Sequence, residues 1–365
     1  MGVEISGAPI VELRCEGPGD DGAPAFASAL IAPGRGMMLL QATVRRPGAD
    51  DLEVIHSPPL AEMARRLNAG PDDPFGNAAF GFGGAILAPF ANRIRGRLVA
   101  DSPLIETWIL GHPVRLPANW KGGGPDAEPC AMHGLILARV ADELKVIQSE
   151  ALAQATAVIR AGDFGGHWPT STDLSICWTL TPQALSLEVT AVNAGVGVLP
   201  MGIGWHPYFR LPSGQRGQAR LTVPARRRLV VADYDDVMPT GEITPVKGSA
   251  YDLTSSEGRA LGDLSLDDCF VDLQPSGKNE MVSQIVDPAA DYGMRIVAAS
   301  PQIKAFQVYA PAREPFVAIE PQFNWTNPFG AEWIGADTGM ALLQPGEQAR
   351  YGVRLEPFTP GTAAP

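Results

Sequence analysis

Glycine and proline recur too often in this chain for a helical bundle: they supply 40 and 34 of its 365 residues, where about 12% combined is usual. Such dense punctuation suits many strands joined by turns. The clearest strand agrees with it. Leu185, Leu187, Val189 and Ala191 alternate with Ser186, Glu188 and Thr190, the period of a strand buried on one face, and Asn193-Ala194-Gly195 supplies the turn that follows. Residues 175–180, 303–309, 316–320 and 350–356 are further strand candidates. One short helix is predicted where Leu60, Met63, Ala64 and Leu67 fall at i, i+3, i+4 and i+7, behind Pro58-Pro59 and ahead of Gly70.

Turn-rich runs at 17–24, 121–129, 212–217 and 327–330 are too short and too mixed to be inter-domain linkers. The expectation is one domain over residues 1–365, with 357–365 as a flexible tail. The net charge of -12 argues against nucleic-acid or anionic-membrane partners, which need clustered cations, and leaves neutral small molecules open. Cys15, Cys130, Cys177 and Cys269 form no C-x-x-C pair, so free thiols are expected and neither a zinc ribbon nor a dithiol motif is indicated. Residues 1–15 lack the basic start and apolar core of a secretory signal, which makes a cytoplasmic protein the expectation. The longest apolar stretch, 81–91, is 11 residues, short of the roughly 20 that span a bilayer.

Five small clusters carry the functional signal: Asn92-Arg93-Ile94, Met132-His133-Gly134, Trp205-His206-Pro207-Tyr208-Phe209, Asp267-Asp268-Cys269-Phe270 and Ile319-Glu320-Pro321-Gln322. In this order, with Leu343-Gln344-Pro345-Gly346-Glu347 behind them, they resemble the aldose 1-epimerase (mutarotase) family over residues 30–356. The resemblance implies an all-β supersandwich of large, mainly antiparallel sheets, galactose mutarotase-like, with a few short helices. It also decides residues 137–162. There Leu137, Val140, Ala141 and Leu144 fall at helical spacing in an Ala, Leu and Glu-rich segment, but the resemblance implies strands.

The implied reaction converts one anomer of an aldose into the other. The C1 hydroxyl must lose a proton while the ring oxygen gains one, which takes one general base and one general acid on either side of C1 and no cofactor or metal. Glu320 ends the apolar strand Phe316-Val317-Ala318-Ile319, is followed by Pro321 with no backbone donor to extend a ladder, and is the expected base. Burial would raise its pKa toward neutrality. His206 resembles the family's acid, with Pro207 holding its backbone extended and aromatic neighbours able to wall a sugar site. A packed core histidine is the competing reading.

His133 resembles the second family histidine, although His133-Gly134-Leu135 departs from the frequent His-Gly-Gly. Asp267 matches the aspartate of the Asp-x-x-Phe segment and is expected to accept hydrogen bonds from sugar hydroxyls. Asp268 is its competitor, since adjacent strand residues point to opposite faces. Asn92 and Arg93 complete the expected sugar-binding set, Arg93 through its planar donor array. Arg95 and Arg97 share its side if the strand is regular. Three aligned guanidinium groups could then take a sugar phosphate, as in related hexose-6-phosphate 1-epimerases, while a solvated edge is the competing reading.

The expected partner is a small-molecule sugar, glucose, galactose or a sugar phosphate, bound by a monomer or homodimer. A non-catalytic sugar-binding protein on the same fold and a glycosidase using Asp267 and Glu320 are the rivals. There is no G-x-S-x-G, H-E-x-x-H, P-loop or complete G-x-G-x-x-G segment to support other chemistries.

Overall fold

Alternation of buried and half-exposed side chains builds two large antiparallel sheets. The computed structural model describes residues 2–17, 22–68, 70–125, 127–276 and 279–361. An eleven-stranded sheet runs in the order Pro239–Pro245, Ala225–Val231, Leu266–Leu273, Ala305–Ala310, Phe316–Gln322, Gly204–Arg210, Gly84–Leu87, Met38–Arg46, Ala25–Ala32 and Val11–Arg14, with Ala49–Glu53 added to Met38–Arg46. A nine-stranded sheet runs Glu143–Gln148, Ala153–Gly162, Thr172–Leu180, Leu185–Asn193, Gln348–Phe358, Tyr292–Ala298, Met281–Asp287, Arg220–Thr222 and Arg259–Ala260. Pairs in both sheets are antiparallel.

The sheets pack face to face over one large core. Trp178 of the nine-stranded sheet meets Trp205 of the larger one edge to face, with centroids 5.5 Å apart. The Tyr351 hydroxyl crosses the same interface to donate to the Pro321 carbonyl at 2.9 Å. All four cysteines are free. Among the described residues no helix is long and apolar enough to cross a membrane.

The all-β expectation is met, and the expected helix is Leu60–Leu67, burying Met63 and Leu67. Residues 143–148 and 153–162 are strands, as the family resemblance implied. Their helical-looking composition has a physical source. Glu143–Gln148 is the outermost strand of its sheet and is exposed throughout, so no buried face imposes a period of two on its sequence. Two expected boundaries need correction. The final strand reaches Phe358, so Pro357 and Phe358 are paired sheet rather than tail, and residues 362–365 of that expected tail lie outside the described residues. The Phe316–Gln322 strand does not end at Glu320: Pro321 and Gln322 stay in register with Phe306 and Ala305.

Candidate active site

The site lies on the face of the eleven-stranded sheet turned away from its partner sheet. Along Gly204–Arg210 the side chains of Trp205 and Phe209 enter the shared core, and those between them, His206 and Tyr208, line a cleft of about 430 Å³. Along Phe316–Gln322, Val317 and Ile319 are core while Phe316 and Glu320 line the cleft. Gly204 registers with Gln322 and Tyr208 with Ala318, which sets Glu320 opposite His206. The ladder has no registered pair between those two, and Pro207 and Pro321, which bring no N–H, sit in the gap. His206 Nε2 lies 3.2 Å from Glu320 Oε1. The other carboxyl oxygen accepts from Gln322 Nε2 at 3.0 Å.

A sharp corner delivers the next residues. Arg93–Arg95 pairs with Cys130–Met132, Arg93 opposite Met132, and both strands leave the pairing in the left-handed region, Asn92 at φ 60° and His133 at φ 62°. Asn and His are among the side chains that tolerate it. The His133 N–H donates to the Asn92 carbonyl at 2.8 Å. Gly134 follows at φ +78°, where a Cβ would meet the Ala88 backbone at 2.7 Å. The Leu135 N–H then donates to the Ala88 carbonyl at 2.7 Å, which is how the His-Gly-Leu variant closes its loop. The corner sets the His133 ring perpendicular to that of His206, centroids 4.9 Å apart.

Asp267 joins this corner through a closed ring of side chains. Gln307 donates Nε2 to Asp267 Oδ1 at 2.6 Å and accepts from Asn92 Nδ2 at 2.9 Å. Arg93 donates Nη1 to Asn92 Oδ1 at 3.2 Å, and its Nη2 stands 3.7 Å from Asp267 Oδ2. Arg93, His133, His206, Asp267 and Glu320 therefore converge on one cleft, as expected. Asn92 does not. It is the fully buried member of that ring and does not line the cleft; its amide holds Gln307 and Arg93.

Other expectations are also settled by geometry. Asp267 and Asp268 lie in a strand, not a turn. Asp267 faces the cleft, while the buried Asp268 accepts from Arg228 Nη1 at 2.6 Å and from the Tyr234 hydroxyl at 2.9 Å. Arg95 and Arg97 do not line up with Arg93: the strand ends at Arg95, a second begins at Arg97, and neither side chain lines the cleft. The exposed Arg97 pairs with Glu106 at 3.4 Å. In the segment Leu343–Glu347, Leu343 ends the strand Ala341–Leu343 and the rest turns back, the Glu347 carboxylate accepting from the Gln344 N–H at 2.8 Å.

Several wall residues carried no sequence assignment: Phe80, Trp120, Tyr234, Asp235, Gln307 and Tyr309. Gln307 had a legible signal, a lone amide in the apolar strand Ala305–Ala310. The loop residues had none, because a cleft wall made by loops has no sequence period. His206 stacks on Tyr208 with centroids 4.6 Å apart, and the Tyr208 hydroxyl is fixed by the Gly81 N–H at 3.1 Å. Trp120 lies over the Arg93 guanidinium at 5.8 Å.

Burial dominates the electrostatics. It pushes the Glu320 carboxyl well above the ordinary value, the nearby Asp267 adding to the rise and Arg93 and Gln322 opposing it. Burial likewise raises Asp267, against Arg93 and the Gln307 hydrogen bond. It lowers His206 to about 3, with Arg93 adding to the fall, and holds His133 well below the ordinary imidazole value, helped by His206 and Arg93. A neutral imidazole and a carboxyl that burial inclines to keep its proton thus lie within hydrogen-bonding distance of each other, which suits proton exchange with a bound molecule.

The aldose 1-epimerase family model matches residues 64–356 of this chain. Among solved structures, a galactose mutarotase-like protein from Clostridium acetobutylicum is similar at 17% identity, TM-score 0.69, covering 92% of this chain and 94% of that one. An aldose epimerase homologue from C. elegans is similar at 16% identity and TM-score 0.69, covering 96% and 98%. A galactose 1-epimerase from Lactobacillus acidophilus NCFM gives 16% identity and TM-score 0.63, again covering 96% and 98%. These likenesses establish the galactose mutarotase-like fold.

Proposed function

We propose that this chain, which belongs to the aldose 1-epimerase family, interconverts the α and β anomers of a free hexose such as glucose or galactose. The observation that carries the reading is the His206–Glu320 contact of 3.2 Å inside the cleft. Glu320 takes the proton from the C1 hydroxyl as His206 delivers one to the ring oxygen, and the bond between C1 and that oxygen opens to an aldehyde. Rotation about the C1–C2 bond and reclosure, with both transfers reversed, gives the other anomer. Each half-reaction leaves the pair holding one proton in total, so the cycle is balanced without a co-reactant.

The directions of the two pKa shifts support that inventory. A raised Glu320 and a lowered His206 give the pair a single proton over a wide pH range and favour GluH/His in the free site; Glu⁻/HisH⁺, the form that the assigned roles use, differs only in where that one proton sits. The two transfers use different sugar atoms, the C1 hydroxyl at Glu320 and the ring oxygen at His206. His133, Arg93 and Asp267 hold the sugar hydroxyls, and Tyr208, Tyr309 and Phe316 supply apolar walls. Polarimetry on freshly dissolved α-glucose and α-galactose tests the proposal. Failure to exceed the spontaneous rate on any aldose in a panel rejects it.

A further inference from the structure

Two loops meet at the mouth of this cleft. The hairpin loop between Ala225–Val231 and Pro239–Pro245 contributes Tyr234, Asp235 and Val237 to the lining, and the segment leading away from Trp120 lies against it. The Asp235 carboxylate accepts from the Gly123 N–H at 2.8 Å and from the Gly124 N–H. The Asp233 carboxylate braces the hairpin loop by accepting from the N–H groups of Asp235 and Asp236 at 2.9 and 2.8 Å.

The glycines serve this contact rather than a left-handed backbone. None of Gly122, Gly123 and Gly124 has positive φ. A Cβ on Gly122 would stand 2.8 Å from the Asp235 carbonyl, and one on Gly124 2.7 Å from Asp235 Oδ2. Two successive backbone N–H groups with no side chains beside them can both reach one anion, and here the chain's own carboxylate takes both. The rest of the lining offers a phosphate little. Apart from the histidines, Arg93 is the one cation among the described lining residues, and it is engaged by Asp267, Asn92 and Trp120.

We infer that Asp235 is a specificity residue: seated on the Gly123 and Gly124 amides at the cleft mouth, it selects unphosphorylated aldoses over hexose 6-phosphates. The inference rests on the mutarotase reading above. A phosphate dianion approaching the rim meets the Asp235 carboxylate, with Asp233 and Asp236 behind it, and finds the two amides already taken. Removing the Asp235 side chain deletes the repelling charge and frees both donors, whereas Asn removes the charge and, with a single acceptor oxygen, can still cover one of the two N–H groups.

The test compares kcat/KM for α-glucose 6-phosphate with that for α-glucose in the wild type, Asp235→Ala and Asp235→Asn, with thermal unfolding to verify that each variant is folded. The wild type should prefer glucose. The phosphate-to-glucose ratio should rise up to about tenfold in Asp235→Ala, the effect of a unit charge near a dianion at an exposed rim, and less in Asp235→Asn. A ratio unchanged in both folded variants, glucose and its phosphate changing by one common factor, or a wild type that prefers the phosphate overturns the inference while leaving mutarotation intact. No acceleration of either sugar by the wild type rejects the mutarotase reading and the inference with it.

Discussion

Glu320 stands directly across the sheet from His206, at the one place where their two strands run side by side without a registered pair. The flanking pairs hold the strands in line, and Pro207 and Pro321 remove the donors that would otherwise close the gap. Cross-strand neighbours on one face bring their side chains close, so the 3.2 Å contact follows from register rather than from a flexible loop. The pair's chemistry is therefore as rigid as the sheet.

Substituting either member should slow turnover more than it weakens binding. Glu320→Gln keeps shape and removes the proton acceptor, and His206→Asn removes the acid. General acid or base assistance is worth about 10²- to 10⁴-fold, or roughly 3 to 5 kcal/mol of transition-state stabilisation. Polarimetric kcat and KM on each purified variant measure this. Near wild-type turnover in a folded Glu320→Gln protein would remove Glu320 as the base and make Asp267 the next carboxylate to examine.

The pH profile should reflect the pair. Because His206 is lowered to about 3 and Glu320 is raised well above 4.5, the one-proton form persists from about pH 3 up to the raised carboxyl value. On acidification the catalysed kcat/KM, corrected for the spontaneous rate, should hold through pH 4.5 and fall only toward 3; on the alkaline side it falls once the pair loses its proton. An acid limb centred on 4.5, as for an independent carboxylate, contradicts the shared proton.

The adjacent aspartates should separate cleanly. Asp267→Asn removes a cleft-facing carboxylate and should raise KM with a small effect on stability. Asp268→Ala leaves Arg228 without its buried partner and should cost about 3 kcal/mol of folding stability, toward the low end for buried pairs because Arg228 is 15% exposed. Urea unfolding beside steady-state kinetics distinguishes them. The reverse pattern would mean that their roles are exchanged.

Gly134→Ala should be disruptive well beyond its size. The position has φ +78° and its Cβ would press on the Ala88 backbone, so strain of roughly 1–3 kcal/mol is expected together with a displaced His133. Chemical denaturation reads the first effect and an elevated KM the second. A variant as stable and as active as wild type would show that the corner relaxes freely.

Much of this protein was legible in its sequence because strands and their turns leave local marks. The alternation around Leu185–Asn193 and the spacing in Leu60–Leu67 each report which side chains a core must cover, and that is a property of neighbouring residues. The identities of Arg93, His133, His206, Asp267 and Glu320 could likewise be picked out from short, chemically distinctive clusters. Their convergence could not be read from the chain itself. Register across three strands sets Gln307 and His206 on either side of Glu320, and a pair of left-handed residues aims His133. Tertiary structure alone buried Asn92 beneath the site, kept Arg95 and Arg97 out of it, and carried a strand through Pro321. It also decided the protonation of the site, because the shifts of Glu320 and His206 come chiefly from desolvation. A residue's sequence neighbours do not say how far it will stand from water; that is fixed only when distant strands close over it.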